Sequence, residues 1–383
     1  MRYLLSGCAV MAFLSVGVAH ADIVLSANDG HTVLNAKGGL VAAKDPKPDS
    51  IPIIDVSHYP PKITGTILAP HSVVGPPGAV WVAPDESWAI VTSATKADPA
   101  GTDGISPDNR VSVIDLKSSP PKIVQSIAAG FGATQVRVSP DGTLALIANR
   151  AEGTVSVFTV KDKRLTDAGK VDTGNKASLP SAVAFLKDGK TALLTRTGDN
   201  QTSVLHIDGT KVTIDPRPIT TAMAPYTMDI NAAGTLAVVA NMGRGDGDAD
   251  TVSLIDLSHA PYRTVETTTV RSGPEPMKLS PDGKYLAVGS QESSTKPQSP
   301  FHQPHGRVTV FAVQGTHLQK ISEAPIGPWA EGIAWSRDGH TLMVQNMGDQ
   351  TISVFAVRNG RLTAGLPLKI EGGGPESFGT AWP

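Results

Sequence analysis

VRVSPDGTLALIAN, residues 136–149, followed by TVSVF at residues 154–158, is a pattern that the chain repeats over most of its length. Each copy is predicted to form a strand, a tight turn, a second strand, a loop and a third strand. Pro140 supplies a fixed φ, Asp141 a side chain that can bond to the local backbone, and Gly142 a residue that accepts positive φ. The Pro-Asp-Gly step therefore predicts a tight hairpin.

Five more copies cover residues 80–91, 183–195, 228–241, 277–289 and 333–346. Their turns lie 45 to 56 residues apart, at Asp85, Asp141, Asp188, Ala233, Asp282 and Asp338. This period accommodates one four-stranded sheet per repeat, which is the blade of a β-propeller. The runs beside each turn alternate or are wholly apolar, as expected of strands buried on both faces.

The two ends of the chain make a seventh copy only when they are combined. Residues 375–382 resemble the first strand of a copy, whereas residues 23–28, 51–56 and 62–68 resemble the second, third and fourth strands. Such a closure leaves no open sheet edge in the ring. We therefore predict an all-β, seven-bladed β-propeller with four-stranded blades, its last blade closed by the N- and C-terminal strands. Residues 22–383 form this single domain.

The third strands carry a further signature. Asn149 precedes TVSV, Asn241 precedes TVSLID, and Asn346 precedes TISV. These segments resemble the YVTN-type repeat of the lactonase-like β-propeller group, and the resemblance covers nearly all of the chain after residue 21. It implies the fold but no single activity, because the group is implied to include lactone hydrolases, surface proteins and redox-associated subunits.

The N-terminus is predicted to be a secretory signal peptide. Met1-Arg2-Tyr3 precedes an apolar run at residues 4–18 and the small-residue stretch Ala19-His20-Ala21. The run has about 15 residues, whereas a membrane span needs about 20. We expect residues 1–21 to be removed and the mature protein to be periplasmic, with no membrane span. Cys8 is the only cysteine, so the mature fold would have no disulfide.

The composition restricts the partners. The chain has 33 basic and 35 acidic residues, a net charge of −2 with histidines neutral, which offers no general attraction to nucleic acid. It contains no Gly-rich phosphate loop, nucleophile elbow or haem-attachment motif. We expect a monomer that binds a small polar ligand or a periplasmic protein partner. The sequence assigns no cofactor and no metal.

One position in each blade, just before the innermost strand, should project near the mouth of the central channel. The copies place there Gly78, Thr134, Ser181, Tyr226, Glu275, Glu331 and Glu376. If the three glutamates converge, repulsion and desolvation would raise at least one carboxyl pKa, which favours a cation site or a general acid or base. The alternative is that they are separate, solvated charges on the rim.

A second ring of polar residues follows the second strands and includes Arg150, Arg196 and Asn346. Both arginines should lie roughly opposite the glutamates, and a mouth that is basic on one side and acidic on the other would suit a zwitterionic or polar ligand. The alternative for the asparagines is that they cap the loop backbone.

Three functional hypotheses follow. The first is a binding propeller. The second is a lactonase-like hydrolase or isomerase that uses the glutamates with Arg150 or Arg196. Against it, members of the resembled group often carry Pro-His before an inner strand, whereas this chain has pairs such as Pro274-Glu275 and Pro375-Glu376. The third is a subunit of a periplasmic redox complex.

Overall fold

The computed structural model describes residues 22–382, so the predicted signal peptide lies outside the described residues. The described chain forms seven four-stranded antiparallel blades, as predicted. Each innermost strand contacts the innermost strand of the next blade, and Gly374–Thr380 contacts Val80–Val82, which completes a ring. Within residues 22–382, no helix is long and apolar enough to cross a membrane.

The blades are numbered in chain order, and their strands are given from the channel outward. Blade 1 contains Val80–Val82, Trp88–Thr92, Arg110–Asp115 and Lys122–Ala128. Blade 2 contains Ala133–Val138, Leu144–Asn149, Thr154–Lys161 and Arg164–Asp172. Blade 3 contains Pro180–Phe185, Thr191–Arg196, Gln201–Asp208 and Lys211–Ile214. Blade 4 contains Pro225–Ile230, Leu236–Asn241, Asp250–Asp256 and Arg263–Val270.

The remaining blades follow the same order. Blade 5 contains Pro274–Leu279, Tyr285–Ser290, Arg307–Gln314 and His317–Pro325. Blade 6 contains Ala330–Trp335, Thr341–Asn346, Thr351–Arg358 and Arg361–Ala364. Blade 7 contains Gly374–Thr380, Ile23–Asp29, Ser50–Asp55 and Lys62–Leu68. Two short strands pair with the third strands of blades 3 and 6: Ile219–Thr220 and Leu368–Lys369. Two hairpins and two 3₁₀ turns lie outside the blades: Thr32–Leu34 with Leu40–Ala42, Thr95–Thr102 with Ile105–Pro107, Lys176–Ser178 and Thr197–Asp199.

Blade 7 joins the two ends of the chain, as predicted. Val24 pairs with Thr380 of the C-terminal strand on one side and with Ile54 on the other. Leu25 is fully buried, in an apolar cluster that reaches across to Val80 of blade 1. The N-terminal strand therefore supplies core side chains to both blades at the closure.

The Pro-Asp-Gly steps form the expected tight hairpins. Ser139 Oγ donates to Asp141 Oδ1 at 2.6 Å and accepts from the Leu144 amide at 3.0 Å. Gly142 closes the turn with a φ of 74°, a conformation in which a side chain would be strained. Blades 5 and 6 repeat this arrangement, so the same local chemistry sets the register of the first two strands in each.

The Asn…Thr-x-Ser pattern has a structural role. Asn149 Nδ2 donates to Thr154 Oγ1 and to Ser156 Oγ, both at 2.9 Å, and blade 4 makes the equivalent bonds from Asn241. The amide thus fastens the end of the second strand to the start of the third. Asn149 and Asn241 therefore cap the backbone, which is the structural alternative stated above for the asparagines.

A pair of matched substitutions tests the closure. Leu25 is fully buried in blade 7, whereas Leu68, on the outermost strand of the same blade, is 63% exposed. We expect Leu25→Ala to lower the free energy of unfolding by about 3 kcal/mol, because it leaves a cavity in the core. Leu68→Ala should change it by about 0.5 kcal/mol or less. Urea denaturation measures both values, and equal effects would contradict the closed ring.

Candidate functional site

The channel-facing positions lie in irregularities of the innermost strands. In blade 6, Ala330 pairs with Asn346 and Ile333 with Val344, so Glu331 and Gly332 stand opposite one residue. Register shifts occur at the corresponding place in blades 2, 3, 4, 5 and 7. A β-bulge takes a residue out of the ladder and re-aims its side chain. The repeat therefore delivers one side chain per bulge to the same level of the channel.

At this level the structure gathers a group that we call the acidic cluster: Glu275, Glu331 and Glu376. Their exposed fractions are 7%, 1% and 1%, so they are not solvated charges on a rim. They also lie close enough for their charges to act on one another. Three buried carboxyls therefore share one low-dielectric space, and all three cannot ionise together without a large cost.

Glu275 lies beside Tyr226 and Arg150. Burial, followed by the charge of Glu376, raises the pKa of Glu275 to about 8, while Arg150 and hydrogen bonds from Gln291 and Tyr226 act in the opposite direction. Burial and the charge of Glu275 also raise the pKa of the Tyr226 hydroxyl well above its ordinary value. The Arg150 guanidinium lies 5.4 Å from the centre of the Tyr226 ring, in a cation–π contact. Arg150 thus supplies positive charge to the cluster from the opposite side.

Glu331 is buried, with an exposed fraction of 1%. Burial and the charges of Glu275 and Glu376 raise the pKa of Glu331 well above its ordinary value, opposed by a hydrogen bond with Trp329. Its Oε2 atom is buried and has no hydrogen-bond partner within residues 22–382. Such an atom normally carries a free-energy penalty unless a further group binds it.

Sequence comparison of the repeats missed His71, which belongs to the segment between blades 7 and 1. Its Nε2 lies 2.9 Å from Glu376 Oε2, and both side chains are buried. Burial raises the pKa of Glu376 to about 7, against the lowering effect of His71. Burial acts to lower the pKa of His71, but Glu376 and more distant aspartates raise it overall. Proline on both sides of residues 71–75 is the only sequence signal, and it marks a loop.

A second polar group extends from His71 toward the surface. Asp49 Oδ2 accepts from the His71 amide at 3.1 Å, and His31 Nδ1 lies 2.9 Å from Asp49 Oδ1 and 3.0 Å from Asp29 Oδ1. The donor atoms of Asp29, His31 and Asp49 lie within 4.8 Å of one another, so they could hold a metal ion. The carboxylates, however, already accept hydrogen bonds from the backbone: Asp49 from the Gly30 amide and Asp29 from the Thr32 amide. The group serves as a hydrogen-bonded tie that holds the His71 segment in place.

Four segments, which together we call the cover, lie over the acidic cluster: residues 32–42, 69–79, 95–107 and 291–306. The Ala42 amide donates to Asp103 O at 2.8 Å, which joins the first to the third. Gly38 has a φ of 81°, and a Cβ there would lie 2.3 Å from Thr295 O, so the first segment also packs closely on the fourth. Val73 of the second segment packs in an apolar cluster with Trp329. The second and fourth segments reach the acidic cluster through His71 and Gln291, whereas the first packs on Thr295 and the third bonds to Ser72.

Two of the predicted residues bond to groups outside the acidic cluster. Arg196 pairs with Asp199 of its own blade. Asn346 Nδ2 donates to Thr351 Oγ1 at 3.0 Å and to Ser353 Oγ at 2.9 Å, so both of its N–H groups are used within blade 6. Asn346 therefore acts as a cap, as a buried amide bonds to its nearest polar neighbours, and its contact with a ligand stays a prediction.

Comparison with known proteins finds no matching family model and no matching curated protein. Solved structures do match. The chain has the lactonase-like seven-bladed propeller fold. It is similar to the periplasmic gluconolactonase of Pseudomonas aeruginosa (17% identity, TM-score 0.69, 93% of this chain and 98% of that chain). A candidate 6-phosphogluconolactonase of Bacteroides fragilis gives 16% identity, a TM-score of 0.70 and coverage of 94% and 98%.

The same propeller occurs in a protein of different chemistry. Hydrazine synthase of Kuenenia stuttgartiensis gives 20% identity and a TM-score of 0.56, over 77% of this chain and 80% of that chain. At these identities the likeness shows the fold alone. The chemistry of this chain must be argued from its own side chains.

The raised carboxyl pKa values predict an unusual pH dependence of stability. Between about pH 5 and pH 8 the unfolded chain releases protons that folded Glu275 and Glu376 retain. The free energy of unfolding should therefore fall as the pH rises, by up to about 1.4 kcal/mol per pH unit for each such carboxyl. Glu331→Gln should make this slope shallower, because it removes one buried carboxyl and its repulsion of the others.

Glu152→Gln is the matched control, since interaction with Lys170 and the Phe131 amide outweighs burial and lowers the pKa of Glu152. Its slope between pH 5 and pH 8 should equal that of the wild type. The raised pKa values of His31 and His71 steepen the fall in every variant and so cancel in the comparison. Equal slopes for wild type and Glu331→Gln, measured by urea denaturation, would show that the cluster does not retain protons.

Proposed function

We propose that this protein is an exported, periplasmic propeller that binds a small polar ligand at the acidic cluster. One observation carries the proposal: three buried carboxyls on consecutive blades converge where Glu331 Oε2 has no protein partner within residues 22–382. Burying polar groups costs free energy, and proteins usually accept that cost at functional sites. The order of residues 1–21 supports export, which recovery of a chain beginning at Asp22 from the periplasmic fraction would test.

The charges around the cluster define the ligand. Arg150 is held by Ser181 Oγ and by Thr197 Oγ1, the latter at 3.3 Å, and it stacks on Tyr226. A carboxylate of the ligand would pair with this guanidinium. Hydroxyl or ammonium groups would donate to the carboxyl oxygens on the facing blades. The site therefore suits a compact zwitterion or a polyhydroxy acid.

The cover determines how such a ligand enters. His71 contacts Glu376 directly, and the Trp329 amide donates to Ser294 Oγ of the fourth cover segment at 2.9 Å. A ligand approaching from this face must displace these contacts. We infer that the cover opens for exchange and closes over the bound ligand, which would exclude water from the charged groups.

Calorimetric titration with 4-aminobutyrate, β-alanine and D-gluconate tests binding. We expect at least one of them to bind the wild type and Glu331→Gln to weaken that binding at least tenfold, because a hydrogen bond to a buried carboxyl is lost. The control Glu152→Gln should bind like the wild type, since Glu152 pairs with Lys170 at the surface of blade 2. If none of the three binds, or if Glu331→Gln binds unchanged, the acidic cluster is not this ligand site.

Lactone hydrolysis is the second candidate function. It is favoured by the pKa values of Glu376 and Glu275, about 7 and 8, which suit a general base and a general acid near neutral pH. Arg150 would stabilise the negative charge that develops on the carbonyl oxygen. The two solved lactonase-like structures share the fold, although no Pro-His pair stands before an inner strand of this chain.

Turnover of D-glucono-1,5-lactone separates the two candidates. Hydrolysis above the spontaneous rate that falls at least a hundredfold in Glu376→Gln, but not in Glu152→Gln, would establish the hydrolase. Binding of at least one of the three acids without lactone turnover would establish the binding protein. A pH-stat or a dye-coupled assay measures the rate, with heat-inactivated protein as the blank.

A further inference from the structure

The channel contains a cavity at the end opposite the acidic cluster. Its volume is about 360 Å³, and all seven innermost strands or the residues just beyond them contribute to its wall. In blade 5, for example, the strand runs from Glu275 in the cluster to Lys278 in this cavity. The volume lies within the range of about 300–1,000 Å³ that is typical of small-molecule sites.

Three charged side chains line this cavity: Arg137, Asp229 and Lys278. Asp229 is satisfied within the protein, because Oδ1 lies 3.2 Å from Lys278 Nζ and Oδ2 accepts from the Leu279 amide at 2.9 Å. The charge of Lys278 is thereby matched. One positive charge, that of Arg137, is left without an anion in contact with it among the described residues.

Arg137 is fixed in position by neutral groups. Its Nη1 donates to the carbonyl oxygens of Val136 at 2.7 Å and Gly78 at 3.1 Å. The hydrogen bonds that it makes to residues 22–382 use Nη1 alone, so the rest of the guanidinium fork is available to a ligand. A guanidinium prefers a carboxylate, which can accept two parallel hydrogen bonds.

The remainder of the wall is largely apolar and contains four aromatic residues: Trp81, Phe185, Phe378 and Trp382. Trp81 packs edge-to-face on Trp88, with ring centres 4.9 Å apart, and Trp382 Nε1 donates to Trp335 O at 3.0 Å. These contacts hold two of the aromatic rings in place. Apolar walls also lower the local dielectric and so strengthen an ion pair formed with Arg137.

We propose that this cavity is a second binding site, for a small organic monoanion that has a carboxylate and an apolar body. The carboxylate pairs with Arg137, and the apolar body packs against the aromatic wall. One uncompensated positive charge selects a monoanion over a dianion. The site is separate from the acidic cluster and does not depend on what that cluster binds.

Benzoate is the probe, and the fluorescence of Trp81 and Trp382 reports its binding, with calorimetry as the second measurement. We expect saturable binding to the wild type and at least tenfold weaker binding of benzyl alcohol, which has the same ring without the charge. Arg137→Gln should weaken benzoate binding at least tenfold, because a charge-assisted hydrogen bond is about twice as strong as a neutral one. Arg137→Lys should fall between them.

Two control variants check that benzoate binds at Arg137 and nowhere else. Arg164→Gln, on the outermost strand of blade 2, and Glu331→Gln, in the acidic cluster, should both bind benzoate as the wild type does. Comparing benzoate with benzyl alcohol on the wild type needs no variant, so it tests the requirement for a carboxylate even if Arg137→Gln fails to fold, and Arg137→Lys, which keeps the charge, then tests the location. Equal affinity for the two probes, no benzoate binding at millimolar concentration, or unchanged affinity in Arg137→Gln would overturn the proposal.

Discussion

The antiparallel pairing of Gly374–Thr380 with Ile23–Asp29 is the contact on which the rest of the structure depends. It places the last innermost strand beside the first, so that seven sheets share one channel. Without it, Glu376 would have no fixed position relative to Glu275 and Glu331. It also buries Val24 in an apolar cluster shared with blade 6 and Leu25 in an apolar cluster shared with blade 1. Closing the ring and assembling the site are therefore one event.

Within that ring, the bulges determine which side chains face the channel at the site. A regular ladder would point each first-strand side chain into a sheet face, whereas the bulge frees one position in each of blades 2 to 7 to face the channel. Three of those positions are glutamates, and the cover removes them from water. Arg150 and His71 supply the opposing positive charge. The result is a set of carboxyls whose pKa values are raised into or above the neutral range, which single exposed glutamates do not reach.

The similarity to solved structures concerns the fold, whereas the chemistry of this protein depends on its side chains. A gluconolactonase and a hydrazine synthase share this propeller, so the fold is compatible with unrelated activities. The Pro-His pairs expected before the inner strands of lactone hydrolases are missing from those positions in this chain, although Pro70-His71 occurs in the segment between blades 7 and 1. A histidine nevertheless reaches the acidic cluster, since His71 enters from the segment between blades 7 and 1. An inference from the repeat positions alone would have excluded histidine chemistry here.

Strand order, blade number and the pairing of the two termini could be read from the sequence, because the Pro-Asp-Gly turn and the apolar runs are local features that recur at a regular period. The repeat also predicted one channel-facing position per blade, and in blades 2 to 6 the bulge lies at that position, at the same offset from the turn. Burial could not be read in this way. It depends on the cover, whose four segments lie between the repeated strands and meet only in the folded ring.

The same reason explains why the two predicted arginines have different partners. Arg150 and Arg196 occupy equivalent positions in neighbouring repeats, yet Arg150 stacks on Tyr226 and Arg196 pairs with Asp199. Which partner each arginine finds is decided by loops that the repeat does not specify. A pKa, an ion pair and an open cavity all depend on distances between residues far apart in the chain. Those distances exist only once the tertiary structure has formed, whereas a turn or a strand is specified by a few adjacent residues.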